Sequence, residues 1–284
     1  MPDPEQKKKA EAFRAMHTGT GAVLLPNVWD VASARIIEEA GFQAIATTSA
    51  GIAFAQGFPD GQKIPADQMI TTVAHIASAV RVPVTADVEA GYGQRPEDAA
   101  RTACNVIDAG AVGMNFEDAT GDSDSPLTEL TLQLERLRAI RETAEELRVP
   151  IVLNARTDVY LLQIGDPSRR YDEAVRRLSA FRDAGADCVF APGVRDAETI
   201  GRFVTDLKCP VNILGVPGSP SVPELVKLGV KRISLGSGPM RSSLGFLRKL
   251  AEEVKTSGTC KLMEGAPSHA EMNKLMSGNR VLNR

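Results

Sequence analysis

About eight times along its 284 residues the chain passes from a short apolar run into an amphipathic stretch, and that rhythm leaves few folds open. The apolar runs predict strands over 22–26, 44–48, 82–87, 112–116, 151–155, 188–191, 211–214 and 232–235. Between them the apolar residues recur at helical spacing. The clearest set is Leu127, Leu130, Leu134, Leu137, Ile140, Ala144 and Leu147, three or four apart along one helix face. Ala40-Gly41, Ala109-Gly110, Ala184-Gly185 and Leu228-Gly229 each close a helical stretch just before a strand, where glycine tolerates the left-handed backbone a helix end asks for. Strand and helix in strict alternation predict a parallel sheet with right-handed crossovers. Repeated this many times, the unit predicts a closed (β/α)8 TIM barrel, and no G-x-G-x-x-G follows the first strand to suggest an open dinucleotide-binding sheet. A single domain over 1–284 is expected: a helix over 5–16 before the barrel, the barrel itself over about 22–255, and a tail over 256–284. In the tail, Ser268-His269-Ala270-Glu271 reads as a capping box opening a helix through Met276.

Composition excludes several classes. The net charge is −3 and the only basic block is Lys7-Lys8-Lys9, so nucleic acid is not an expected partner. No apolar run could cross a bilayer and the start resembles no signal peptide, so a cytoplasmic protein without membrane contact is expected. Cys104, Cys188, Cys209 and Cys260 are scattered and read as reduced thiols, with Cys188 buried in a strand. His17, His75 and His269 read as packing or surface residues.

Three consecutive strands end in charge at alternate positions: Asp87 and Glu89, then Asn115 and Glu117, then Asn154, Arg156 and Asp158. Alternate residues share a strand face, so neighbouring strands would gather these side chains at the C-terminal rim, where this fold places its chemistry. Like charges so crowded repel by roughly 4 kcal/mol per pair at 4 Å and intermediate dielectric. A divalent cation is the usual remedy, and an all-oxygen donor set suits Mg²⁺, with Mn²⁺ as the alternative. An ion pair between Arg156 and Asp158 is the structural alternative for those two. Two more segments reach the same rim: Thr47 to Gly51, a small polar turn able to offer N–H groups to an anion, and the loop carrying Asp60. Gly91-Tyr92-Gly93 reads as a turn that lets backbone approach a ligand. No nucleophile elbow, Walker loop or H-E-x-x-H occurs.

The run from Pro26 to Arg35, the run from Ala86 to Gly93, Asn115-Phe116-Glu117-Asp118 and Asn154-Ala155-Arg156-Thr157-Asp158 resemble, in order and spacing, the isocitrate lyase/phosphoenolpyruvate mutase superfamily. The similarity spans about 22–254, nearly the whole barrel. It implies Mg²⁺ and a small 2-oxo acid or carboxylate whose C–C or P–C bond is made or broken through a metal-stabilised enolate. It further implies Asp87 as direct metal ligand, Glu89 and Glu117 holding metal-bound waters, and Thr48, Ser49 and Ala50 receiving the substrate carboxylate. Arg156 would contact the reacting group and Asp60 would lie on a mobile loop. A homodimer or homotetramer that exchanges its last barrel helix, about 240–254, is also implied.

Two departures narrow that inheritance. The lyases carry a Lys-[Lys/Arg]-Cys-Gly-His segment after the fourth strand, whereas Ala119 to Pro126 here contains neither Cys nor Lys. The mutases use a longer loop and a later His, which corresponds to about Pro192. The proton donor or acceptor is then expected among Asp60, Tyr92 and Asp122. The leading expectation is a Mg²⁺-dependent lyase or phosphonomutase-like enzyme. The alternatives are an oxaloacetate-type decarboxylase or hydrolase on the same scaffold, and a non-catalytic 2-oxo acid binding protein.

Overall fold

The computed structural model describes residues 3–277, and they form a (β/α)8 barrel. Its strands are β1 (Val23–Leu25), β2 (Asn27–Val28), β3 (Ile45–Thr47), β4 (Val84–Asp87), β5 (Gly113–Glu117), β6 (Val152–Arg156), β7 (Cys188–Phe190), β8 (Val211–Leu214) and β9 (Arg232–Ser234). All eight expected runs are strands, with ends that shift by at most two residues. β1 and β2 are one barrel strand interrupted at Pro26, which has no N–H to give a ladder. The first half pairs parallel with β9 and the second with β3, and that change of partner closes the barrel.

Helices α2 (Val31–Glu39), α4 (Ala66–Ala79), α5 (Pro96–Asp108), α6 (Leu130–Glu146), α7 (Arg170–Asp183), α8 (Ala197–Leu207), α9 (Val222–Lys227) and α10 (Gly238–Ser257) follow the strands in turn. The four expected helix-ending glycines all adopt the left-handed backbone, with φ of 88°, 86°, 107° and 90° at Gly41, Gly110, Gly185 and Gly229. Among the described residues all four cysteines are free, and Cys188 is buried, its thiol pushed up to about 12 by that burial.

Helix α1 (Pro4–Thr18) confirms the expected extra helix and has a definite task. Its Ala10, Phe13 and His17 are buried, and Phe13 joins the main core. Gln6 Nε2 donates to the carbonyls of Ile107 and Ala111, and Arg14 reaches the Ile151 carbonyl and Asp187, all just before or between strands. The N-terminal mouth is therefore stoppered, which leaves the C-terminal rim as the open end. In the tail, Ser268 and Glu271 exchange the expected capping bonds ahead of α11 (His269–Ser277). Residues 278–284 of the expected tail lie outside the described residues. No helix among the described residues is long and apolar enough to cross a membrane.

The apolar stripe on α6 needs one correction. Leu127 precedes the helix and pairs with Ala119 in an antiparallel bridge, because Pro126 and the turn before it form a hairpin. The buried face also starts differently: Gln133 and Arg136 lie under it ahead of Leu137, Ile140 and Ala144.

Candidate active site

The ends of β4, β5 and β6 lie side by side and in register. Asp87 is opposite Asn115, Asn115 opposite Asn154, and Glu117 opposite Arg156. The alternation expected from sequence thus places matching side chains at matching depth. Asn154 Nδ2 donates to Asn115 Oδ1 at 2.8 Å, and Asn115 Nδ2 donates to Asp87 Oδ1 at 2.9 Å. The two amides form a rung that fixes one oxygen of Asp87. The other oxygen accepts from Ser49 twice, from its N–H at 3.0 Å and its hydroxyl at 2.8 Å.

Ser49 begins α3 (Ser49–Ala55), a helix capped by Thr48, whose Oγ1 accepts from Gly51 N–H at 3.2 Å. The segment read as an open polar turn is therefore a short helix start. Two of its amides are already committed, Ser49 to Asp87 and Gly51 to Thr48, while Ala50 sits between them at the rim. Sequence alone could not show the first of these bonds, because its acceptor lies on β4.

One layer further out, Arg156 answers the crowded acids. Its Nε and Nη2 donate to the two oxygens of Asp158 at 2.5 and 2.8 Å, and Nη1 lies 2.7 Å from Glu117 Oε2. The ion pair considered for Arg156 and Asp158 is present, and it uses the planar fork expected to meet a ligand. What Arg156 still offers a ligand comes from its terminal nitrogens. Burial alone would lower its pKa, but Glu117 and Asp158 reverse that and hold it above the usual value. Burial drives Glu117 the other way, well above an ordinary glutamate, and only Arg156 resists.

The turn after β4 carries Glu89 and Tyr92. Both have left-handed backbones, φ 51° and 56°, as does Gly91 at 79°. Such conformations cost about 1–3 kcal/mol at a non-glycine residue and survive only where surroundings impose them. Gly91 is required on a second count, since a Cβ there would lie 2.5 Å from the Phe116 ring. Gly93 has a packing reason as well: a Cβ there would meet Asp98 at 2.4 Å. Glu89 is 3 % exposed. Its Oε2 accepts from Gln62 N–H at 2.6 Å and its Oε1 has no partner. Burial, then Asp87 and Asp60, push it up to about 7. The Tyr92 hydroxyl is buried without a partner, and burial followed by Glu89, Asp87, Asp60 and Glu117 drives its pKa far above the usual phenol value.

Asp60 sits in the loop between α3 and α4, and its Oδ1 accepts from Gly61 N–H at 3.0 Å. Although the residue is exposed overall, its carboxyl is shielded enough to be raised, first by desolvation, with Asp87 and Asp158 adding to the shift. Asp122 is not brought in: its carboxylate accepts from Asp124 N–H inside the exposed hairpin.

Among the described residues no three His, Cys, Asp or Glu side chains close around a single point. Glu117 and Asp158 turn to Arg156, and Glu89 is held toward Gln62, so the acidic tips do not form a cage. The donors nonetheless suit a hard divalent ion held by one carboxylate and by waters. Asp87 lies at the centre, and Glu89 Oε1 and Glu117 Oε2 are buried oxygens without a directed hydrogen bond.

Asp118 carries a role that alternation alone could not reveal, because it points away from the rim. Fully buried, it accepts from Thr157 Oγ1 at 2.7 Å, Asp158 N–H at 2.9 Å and Arg177 Nη1 at 3.1 Å. It pins the β6 end from which Asp158 grips Arg156. Burial raises it to about 6 against those hydrogen bonds.

Residues 13–255 match the family model described as phosphoenolpyruvate phosphomutase. A Mycobacterium tuberculosis protein described as uncharacterized is 34% identical over 234 residues, covering 82% of this chain and 84% of its own. A Burkholderia cenocepacia J2315 structure, provisionally described as a lyase/mutase, superposes with a TM-score of 0.91 at 40% identity, covering 97% of this chain and 98% of that one. Oxaloacetate acetylhydrolase in complex with the product oxalate superposes with a TM-score of 0.83 at 27% identity, covering 94% and 93%.

Proposed function

The chain belongs to the phosphoenolpyruvate phosphomutase family of the isocitrate lyase/phosphoenolpyruvate mutase superfamily, and from that membership we propose a Mg²⁺-dependent lyase that breaks a C–C bond in a small 2-oxo or related dicarboxylate. The observation that carries the reading is the in-register rim, with Asp87 fixed by Asn115 and Ser49 beside the Glu117–Arg156–Asp158 chain. When bound at Asp87, with Glu89 and Glu117 toward its waters, the ion supplies Lewis-acid stabilisation of the charge that develops on a 2-oxo oxygen.

The chain's own residues supply the rest. Arg156 is a fixed positive charge at the rim, held by Asp158 and Glu117, and needs no reorganisation as negative charge develops. Tyr92 keeps its proton at neutral pH, so it acts as a hydrogen-bond donor. Asp60, raised and close to the rim, is the group suited to move a proton. Ala50 at the head of α3 is the amide left to meet a substrate carboxylate.

A second reading, hydrolysis or decarboxylation of an oxaloacetate-like acid, is favoured by the hairpin after Glu117. Ala119 to Leu127 folds onto itself, Thr120 N–H donating to the Pro126 carbonyl at 3.0 Å, and brings neither thiol nor amine to the site. The second reactant is then a proton or water. The likeness to oxaloacetate acetylhydrolase is consistent with that.

The test is turnover across oxaloacetate and 2-substituted malates, followed by NMR of the products. EDTA is expected to abolish activity and Mg²⁺ or Mn²⁺ to restore it. Full turnover in EDTA would overturn the metal assignment, and calorimetric binding of 2-oxo acids without product would favour a binding protein.

We also propose a homodimer or homotetramer that exchanges α10. Of its 20 residues only Met240 is buried, while Leu244, Phe246, Leu247 and Val254 are 44–56 % exposed. An apolar face of this size on a barrel helix calls for a cover. Light scattering is expected to give a multiple of 30.3 kDa, and Phe246→Glu with Leu247→Asp to give the monomer. A wild-type monomer at micromolar concentration would dismiss the assembly.

A further inference from the structure

Resting on that reading of the site, we infer that Arg136 is a positioning residue that holds the Glu89–Tyr92 turn in its catalytic shape from behind. The guanidinium comes from α6, is 2 % exposed, and reaches past the rim to the back of the turn. Nη2 donates to the carbonyls of Ala90 and, at 2.9 Å, Gly93. Nη1 donates to Gln133 Oε1 at 2.9 Å and Thr128 Oγ1 at 3.4 Å, while the group lies 4.7 Å above the centre of the Phe116 ring. Gln133, itself fully buried, passes the contact on to the Glu117 carbonyl at 3.2 Å.

Among the described residues Arg136 has no carboxylate within ion-pair distance. Burial lowers its pKa to about 10, which leaves it charged at neutral pH. A buried charge is costly unless its hydrogen bonds are well placed, and here Nη2 gives both of its bonds to backbone, Nη1 meets side chains and Nε has no partner. The turn they reach is the strained one. The Glu89 carbonyl accepts from Glu117 N–H at 3.0 Å and the Gly91 carbonyl from Thr102 Oγ1 at 2.8 Å. The Tyr92 N–H donates to Gln62 Oε1 at 2.6 Å. Arg136 takes two further carbonyls of the turn, Ala90 before Gly91 and Gly93 after it. Without it, both carbonyls lose their donor, and Glu89 and Tyr92 have less to oppose their relaxation out of the left-handed region. The Glu89 carboxylate and the Tyr92 hydroxyl would then leave the places where the site uses them.

The test is Arg136→Met, which keeps length and removes the donors. Relative to wild type, kcat is expected to fall about 10- to 100-fold with substrate KM little changed, and Mg²⁺ affinity of the ligand-free protein, by calorimetry, to fall about 10-fold. Amides of residues 89–93 are expected to exchange faster with deuterium, those of β5 to β7 unchanged. In a Glu89→Gln background the same change is expected to add less than about threefold, since both act through one turn. Additive losses, or exchange that quickens throughout the barrel, would overturn the inference and leave only a structural role. If Arg136→Met does not fold, Arg136→Lys serves. One ammonium cannot span both carbonyls while lying on Phe116, so the same pattern at smaller size is expected and wild-type behaviour overturns it. Glu89→Gln alone at wild-type activity would instead refute the function assigned to the turn.

Discussion

Asp87→Ala is expected to leave no measurable Mg²⁺-dependent turnover in a protein that still folds. Asp87 is the one rim carboxylate whose two oxygens are fixed by neighbours without being neutralised by a cation. Its partners are the Asn115 amide and the N–H and hydroxyl of Ser49, all neutral donors. Such a carboxylate is oriented and not tied up in an ion pair, which is what a direct ligand requires. Removing it strands an amide and two donors of Ser49, at up to about 1–3 kcal/mol for each group that water does not reach, so a fall in Tm is also expected. The loss of stability and the loss of metal separate in one measurement. Saturating Mg²⁺ is expected to raise Tm of the wild type, by mass action, and not that of Asp87→Ala. Activity within tenfold of wild type, or an undiminished Mg²⁺ shift, would remove Asp87 from the metal site.

Arg156→Ala is expected to cost at least about 100-fold in kcat/KM, roughly 2.7 kcal/mol of transition-state stabilisation, and to weaken the fold as well. The second effect follows from what Arg156 holds. With the guanidinium gone, Glu117 and Asp158 are left side by side, buried, without a cation, and breaking such a buried pair costs about 3–5 kcal/mol. Protonation offers relief, because burial already holds Glu117 well above the usual value. A carboxyl whose folded pKa is raised binds a proton more readily folded than unfolded. Stability therefore falls as pH rises from the ordinary glutamate value toward the raised one. The Tm deficit of Arg156→Ala is accordingly expected to be smaller at pH 6 than at pH 8. Adding Glu117→Gln is expected to recover much of the stability and none of the activity. A deficit independent of pH, together with near wild-type kcat/KM, would contradict both assignments.

The barrel was legible in the chain because its cause is local. Each strand is a short run of apolar residues, each helix end has its glycine, and counting the units yields the architecture. The depth of the acidic tips was legible for the same reason, since alternation in a strand is a property of single residues in order. The family motifs around Asp87, Glu117 and Arg156 added roles that periodicity does not contain. Other features resisted reading. Gln133 and Arg136 occupy buried positions of a helix whose stripe looked apolar throughout, and only their two polar side chains at helical spacing hinted that the face meets backbone instead of core. Asp118 appeared as half of a motif, with nothing to say that it turns inward to Thr157 and Arg177. The Ser49 amide looked free because its acceptor lies 38 residues away in sequence.

By itself the order of residues determined the parallel barrel, the rim that carries its chemistry, and the set of charges presented there. Only tertiary structure decided how those charges are shared: Asp87 with neutral donors, Glu117 and Asp158 with Arg156, Glu89 with a loop amide. The division has a physical reason. Secondary structure and face follow from periodic patterns a few residues long, whereas a charge is neutralised by whichever group lies within a few ångströms. For Asp87, Glu89 and Glu117 that neighbour comes from another segment of the barrel, dozens of residues away, and only the Arg156–Asp158 pair is local.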